Sequence, residues 1–122
     1  MVKVKRVYEP PSRDDGKRIL IDRLWPRGLK KTDAVADEWM KELAPSAKLR
    51  IWFAHDPGKY SEFKKRFFRE LAEKKDQVDE IMTFANRGTV TLLYGSKEER
   101  YNNAAALKEY LEGKTAIRKK AA

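Results

Sequence analysis

The chain has 122 residues, 41% of them hydrophobic and 39% charged, with a formal net charge of +9. Such a length and apolar content describe one domain with a real core rather than a disordered chain, and no apolar run reaches the ~18 residues of a membrane span. The absence of cysteine and the single histidine exclude disulfides, thiolate catalysis, Cys-based zinc sites and His-rich metal sites.

Val2, Val4 and Val7-Tyr8 predict a first strand, Val2–Tyr8, closed by Glu9-Pro10-Pro11. Its start alternates charge with valine and lacks the apolar centre of a signal peptide, so a cytoplasmic protein is expected. Ser12–Lys17 reads as a loop turning at Asp15-Gly16. The second strand, Arg18–Asp22, holds Ile19-Leu20-Ile21 and runs into Arg23-Leu24-Trp25-Pro26-Arg27-Gly28, where Pro26 has no N–H to continue a central strand. The connection between these strands is short for a parallel crossover, which leaves their relation open. Leu29–Asp33 is polar and expected at the surface. Ala34–Leu43 fits either period, and a short strand at Glu38–Glu42 is the working assignment.

Ser46 is an N-cap for a helix over Ala47–Ala54, which His55-Asp56-Pro57-Gly58 stops. Ser61 is expected to cap Glu62–Lys75, whose inward stripe is Phe63, Phe67, Phe68 and Leu71. A third helix runs from Asp76 to about Asn86, with Val78, Ile81, Met82 and Ala85 inward and Arg87-Gly88 as its C-cap. Thr89–Tyr94 is nearly continuous in apolar character, as a central strand covered on both faces would be. The two helical stripes are expected to form one layer over Leu92-Leu93. Gly95–Tyr101 is a charged loop. Asn102 or Asn103 caps the last helix, with Ala104, Leu107, Tyr110 and Leu111 inward, and Gly113 is expected to end it. These elements predict a single α/β domain over residues 1–113, three-layer-like, with a small mainly parallel sheet flanked by helices. Lys114, Arg118, Lys119 and Lys120 put much of the positive excess into an expected basic tail, residues 114–122.

Ligand sites of open α/β sheets lie outside the carboxyl ends of the strands. Two strand ends therefore matter, Asp22–Gly28 and Tyr94–Asn103. If their strands are parallel neighbours, Arg23, Arg27 and Lys97 converge, and the helix starting near Asn102-Asn103 aims its free N–H groups at the same crevice. Fixed cations beside such donors make an anion site. In this reading Asp22 orients an arginine and Trp25 offers a stacking face, although Asp22 and Arg23 could equally lock the loop through structural ion pairs. Trp39 and Trp52 are expected in the core. His55 beside Asp56 is a possible general base, and Tyr101 a possible proton donor, but no nucleophile stands next to them. No Walker A or G-x-G-x-x-G loop occurs, and no cofactor or metal is expected.

Asp15-Gly16, Asp22-Arg23-Leu24-Trp25-Pro26-Arg27-Gly28, Trp39 with Glu42-Leu43-Ala44-Pro45-Ser46, His55-Asp56-Pro57, Thr91-Leu92-Leu93-Tyr94 and Asn102-Asn103-Ala104 follow one another in this order. In them the chain resembles the YeaO-like branch of the bacterial and archaeal family called domain of unknown function 488, from about Val4 to Leu111. The resemblance implies an uncharacterised α/β domain. In the family's longer branch an Asp-x-Arg strand end takes the place of Asp22-Arg23, and the last strand leads to a cysteine-bearing loop and a Cys-His-Arg stretch. This chain has Tyr94 where that loop begins and Asn102-Asn103 near the Cys-His-Arg place, so the thiol chemistry is gone and the two-loop geometry is what the branches share.

The expected ligand is a phosphate-bearing or other anionic small molecule held by Arg23, Arg27 and Lys97. Two readings from other classes stand beside it. A nucleic-acid-binding accessory protein would use the net charge and tail, with binding steeply dependent on salt. A protein-interaction domain would instead show a large apolar surface patch.

Overall fold

The computed structural model describes residues 1–121, with side chains as far as residue 114. Four strands, β1 (Val2–Arg6), β2 (Lys17–Leu20), β3 (Glu38–Trp39) and β4 (Val90–Tyr94), form one sheet in the order β1-β4-β2-β3. Every pairing is parallel. Five helices accompany it among the described residues: α1 (Lys31–Ala34), α2 (Ala47–Phe53), α3 (Tyr60–Ala72), α4 (Lys75–Arg87) and α5 (Asn103–Ala121). The chain is thus an α/β domain with a small parallel sheet.

The last strand in sequence is the central one. All five residues of β4 are buried, as its apolar run requires. Both β1 and β2 pair with it, so Val4 and Ile19 flank Leu92 from either side. The first two strands are therefore parallel, but β4 separates them. The segment between them crosses without an α-helix, because it folds into a single 3-10 turn, Arg13–Asp15, where a loop was expected. Ser12 and Asp15 close that turn as a reciprocal capping box. Gly16 follows at φ +60, and a Cβ there would lie 2.1 Å from the Thr89 carbonyl oxygen, so only glycine fits.

Strand alternation divides the core in two. Ile19, Ile21, Leu92 and Tyr94 face α2–α5 and join Phe63, Phe67, Leu71, Val78, Ile81, Met82, Leu107 and Leu111 in the main cluster. Leu20 and Leu93 face the other way, against Ala34 of α1 with Trp25, Leu29 and Trp39. The expected layer over Leu92-Leu93 holds for Leu92 alone, since adjacent strand residues point to opposite faces. The minor face also contains a buried polar knot. Asp15 and Arg18 are each 4% exposed and form an ion pair. Lys5 adds a second cation to Asp15, the Thr91 hydroxyl donates to the Asp15 carbonyl, and Arg18 donates to the carbonyls of Ala34 and Val35 at the end of α1.

Several boundaries differ from the sequence expectations. The first strand ends at Arg6, although the Val7 N–H still donates to the Tyr94 carbonyl at 2.8 Å. The third strand is only Glu38–Trp39, because Lys41–Leu43 turns into a 3-10 helix. Ser46 does cap α2, its hydroxyl accepting from the Leu49 N–H at 3.1 Å. Ser61 caps nothing, because a 3-10 turn at Pro57–Lys59, capped by Asp56, leads directly into α3 at Tyr60. Gly88 is extended at φ 168, not a left-handed cap. Of the two asparagines, Asn102 is the cap of α5, accepting the Ala105 N–H at 2.8 Å. Gly113 does not end α5, which continues to Ala121. The side chains of the basic stretch 115–122 lie outside the described residues.

Candidate functional site

The chain leaves β4 for α5 on the main face and leaves β2 for α1 on the opposite face. Two adjacent parallel strands whose connections diverge in this way open a crevice at their carboxyl ends, the place where α/β proteins bind ligands. A cavity of about 190 Å³ lies there. The post-β2 loop supplies Asp22, Arg23 and Leu24, the post-β4 segment Ser96, Tyr101, Asn102 and Asn103, and the segment around α2 supplies Ala44, Pro45, Arg50, Phe53 and His55.

Asp22 ties the two strand ends together. One carboxylate oxygen accepts the Gly95 N–H at 2.8 Å, and the other accepts from the Asn103 side-chain amide at 3.2 Å. The same amide donates to the Ile21 carbonyl, and the Asp22 carbonyl accepts from the Trp39 indole at 2.6 Å. Burial pushes the Asp22 carboxyl above its ordinary value, and the Gly95 and Asn103 donors and the positive charge of Arg50 only partly offset this. Gly95 is suited to its place, since a Cβ there would stand 3.0 Å from the Asp22 carboxylate.

The cations are less committed. Among the described residues Arg23 spends only its Nε–H on the protein, on the Pro45 carbonyl at 3.4 Å. The Arg50 guanidinium makes no hydrogen bond or close ion pair among them, and it acts on Asp22 only at longer range. Both side chains lie at the rim of a cavity walled mainly by apolar groups. The start of α5 is held by Asn102, whose carbonyl accepts from the Tyr60 hydroxyl at 2.9 Å. Burial and the nearby Glu109 push that phenol up to about 12, so it stays a donor.

His55 reaches the cavity through an unusual backbone. Ala54 and His55 are consecutive left-handed residues, at φ 48 and φ 55, and the His55 ring lies 6.2 Å from that of Phe53. Asp56 does not orient it. Its carboxylate accepts from the Gly58 N–H at 2.9 Å and serves the turn.

The cavity therefore gathers Asp22, Arg23, His55, Tyr101, Asn102 and Asn103 from the residues anticipated in the sequence. It does not gather Trp25, Arg27, Lys97 or Asp56. The Trp25 indole donates to the Leu29 carbonyl at 2.6 Å and meets Trp39 edge-on at 5.4 Å, which makes it a packing residue of the minor face. Arg27 is exposed, its carbonyl taken by the Tyr8 hydroxyl, and Lys97 is exposed as well. Arg50 was not anticipated. Arg50 looks like any other surface cation of a short helix, and only tertiary packing carries α2 to the strand ends.

A second, more open groove of about 440 Å³ adjoins the cavity across Arg23 and Ala44. Its Glu70 is already engaged by the Ser46 N–H and hydroxyl. Among the described residues no three His, Cys, Asp or Glu side chains group as metal ligands, and no helix is long and apolar enough to cross a membrane.

Residues 1–122 match a family described as the "Inactive DUF488-N3 subclade". The chain is similar to the uncharacterized protein YeaO of Escherichia coli, with 42% identity over 110 residues that cover 90% of this chain and 96% of that protein. It is also similar to the uncharacterized protein Rv3073c of Mycobacterium tuberculosis, with 37% identity over 113 residues covering 93% and 95%. No solved structure matches it.

Proposed function

The chain is a YeaO-like member of the domain of unknown function 488 family, in the subclade described as inactive, and we propose that it is a binding protein for a small organic anion. The observation that carries this reading is the pair of arginines, Arg23 and Arg50, with unspent donors at the rim of one apolar cavity. A guanidinium presents a planar donor fork that fits carboxylate or phosphate. The cavity of about 190 Å³ is below the ~300–1,000 Å³ of typical ligand pockets, which favours a small metabolite over a nucleotide. The family description, an inactive subclade, lends no support to turnover. His55 and Tyr101, raised above as proton-transfer groups, serve in this reading as polar parts of the wall.

Titration with inorganic phosphate and with the short carboxylate 4-methylpentanoate, followed by NMR shifts of the cavity residues, tests the reading. Saturable binding of either anion, weakened about tenfold or more in Arg50→Gln, is expected if the arginine makes a charge-assisted contact. No saturable shift with either anion would refute it.

A further inference from the structure

The anion reading accounts for Arg23 and Arg50 but leaves Asp22 unexplained. A carboxylate in the wall of an anion site repels the ligand that the arginines attract. Asp22 is not neutralised by them, for among the described residues neither arginine forms an ion pair with it. It is instead fixed by the Gly95 N–H and the Asn103 amide, two neutral donors. A carboxylate offers about four acceptor positions, and these bonds use two. The cavity thus presents a fixed negative group and two positive ones around an apolar wall built on the buried Phe53 and Phe63.

Resting on the anion reading, the geometry points to a zwitterion as the ligand, a free α-amino acid with a short apolar side chain. Its carboxylate lies against the Arg23 and Arg50 forks, its ammonium against Asp22, and its side chain against the Phe53–Phe63 wall. The volume suits this class, since a cavity of ~150 Å³ takes a benzene ring, and about 190 Å³ is available here. The ammonium also accounts for the placement of Asp22. Burial disfavours its charged form, and a bound cation restores the missing partner.

Three probes separate the parts: L-leucine, 4-methylpentanoate, which is leucine without its amine, and 3-methylbutylamine, which is leucine without its carboxylate. Each is titrated into the full chain and followed by NMR. Leucine is expected to bind about tenfold or more tightly than 4-methylpentanoate, with 3-methylbutylamine weakest. Asp22→Asn should bind leucine and 4-methylpentanoate alike. Equal affinities of the wild type for leucine and 4-methylpentanoate would overturn the zwitterion and leave the anion reading standing. Absence of binding by 4-methylpentanoate and phosphate would overturn the anion reading, and absence of binding by leucine as well would overturn both. If Asp22→Asn fails to fold, the probe series in the wild type still decides.

Discussion

Asp22 and Gly95, separated by 73 positions in sequence, are joined by a 2.8 Å hydrogen bond from the Gly95 N–H to the Asp22 carboxylate. This bond joins the two strand ends just beyond the last rung of their ladder, the Ile21 N–H on the Leu93 carbonyl at 3.2 Å. Gly95→Ala would bring a methyl group to 3.0 Å from the same oxygen. The bond should lengthen or break, at a cost of about 0.5–1.5 kcal/mol in urea unfolding. Leucine affinity should fall with it, because Asp22 moves. Unchanged stability and affinity in Gly95→Ala would show that the strand ends tolerate the shift.

The buried Asp15 and the half-buried Asp22 should respond to pH in opposite directions. Burial raises the Asp15 carboxyl, but the Ser12 N–H, Lys5 and Arg18 outweigh it and hold its folded value below 3.8. Its stabilisation is complete above 3.8 and is lost as pH falls through the folded value. Asp22 is held above 3.8. The native state then keeps that proton longer than the unfolded chain, so stability falls as pH rises from 3.8 through the folded value. Urea unfolding over a pH series should therefore show Asp22→Asn gaining on the wild type across that window and holding the gain above it. A difference independent of pH would contradict this.

Removing one member of the buried polar knot should cost far more than removing a surface pair. Asp15→Asn leaves Arg18, 4% exposed, without its counter-charge. The expected loss is about 3–5 kcal/mol. The Lys64–Glu109 pair at the surface is the control, and Glu109→Gln should cost no more than about 1 kcal/mol. Comparable losses for the two variants would mean that the knot is wetter than its geometry indicates.

Phe67 is fully buried on α3, stacked 5.6 Å from Phe63 between α3 and the sheet. Phe67→Ala should cost about 3–5 kcal/mol. Phe68, only partly buried beside Tyr110, lies one residue further along the helix and should cost clearly less when truncated. Chemical denaturation of the pair checks the orientation of the stripe.

Arg23→Lys preserves charge but not the fork. If the anion is gripped by two parallel N–H donors, phosphate and 4-methylpentanoate should both bind more weakly to the lysine variant. Equal affinities would leave Arg23 as a residue that fastens its loop to Pro45.

The helices were readable because their stripes are local. Phe63, Phe67 and Leu71 recur at the helical period, and Ser46 announces α2. The central place of β4 was readable from five consecutive residues without an exposed face. The division of the core was obscured by treating Leu92 and Leu93 as one surface, although strand alternation sends them apart. Of the site, the strand ends with Asp22, Arg23 and Asn103 were legible from the rule that ligands gather beyond the carboxyl ends. Arg27 and Lys97 followed from counting charges near those ends, but a charge near an end need not turn inward. Arg50 was invisible because its place depends on how α2 docks, which no local pattern encodes. Trp25 was misplaced for a related reason, since its indole is spent on Leu29 inside its own loop.

The order β1-β4-β2-β3 also governs how the protein comes into being. While residues 1–89 are being synthesised, β1 has no neighbour and β2 has only the two-residue β3. Both await the last strand to be made, so the edges of the nascent β1 and β2 stay open to other chains until it arrives. Pairings this distant in sequence also slow folding once the chain is complete. The emergence of Val90–Tyr94 is then the step that joins two separate segments into one sheet, and any chain released before it has no sheet centre to fold around.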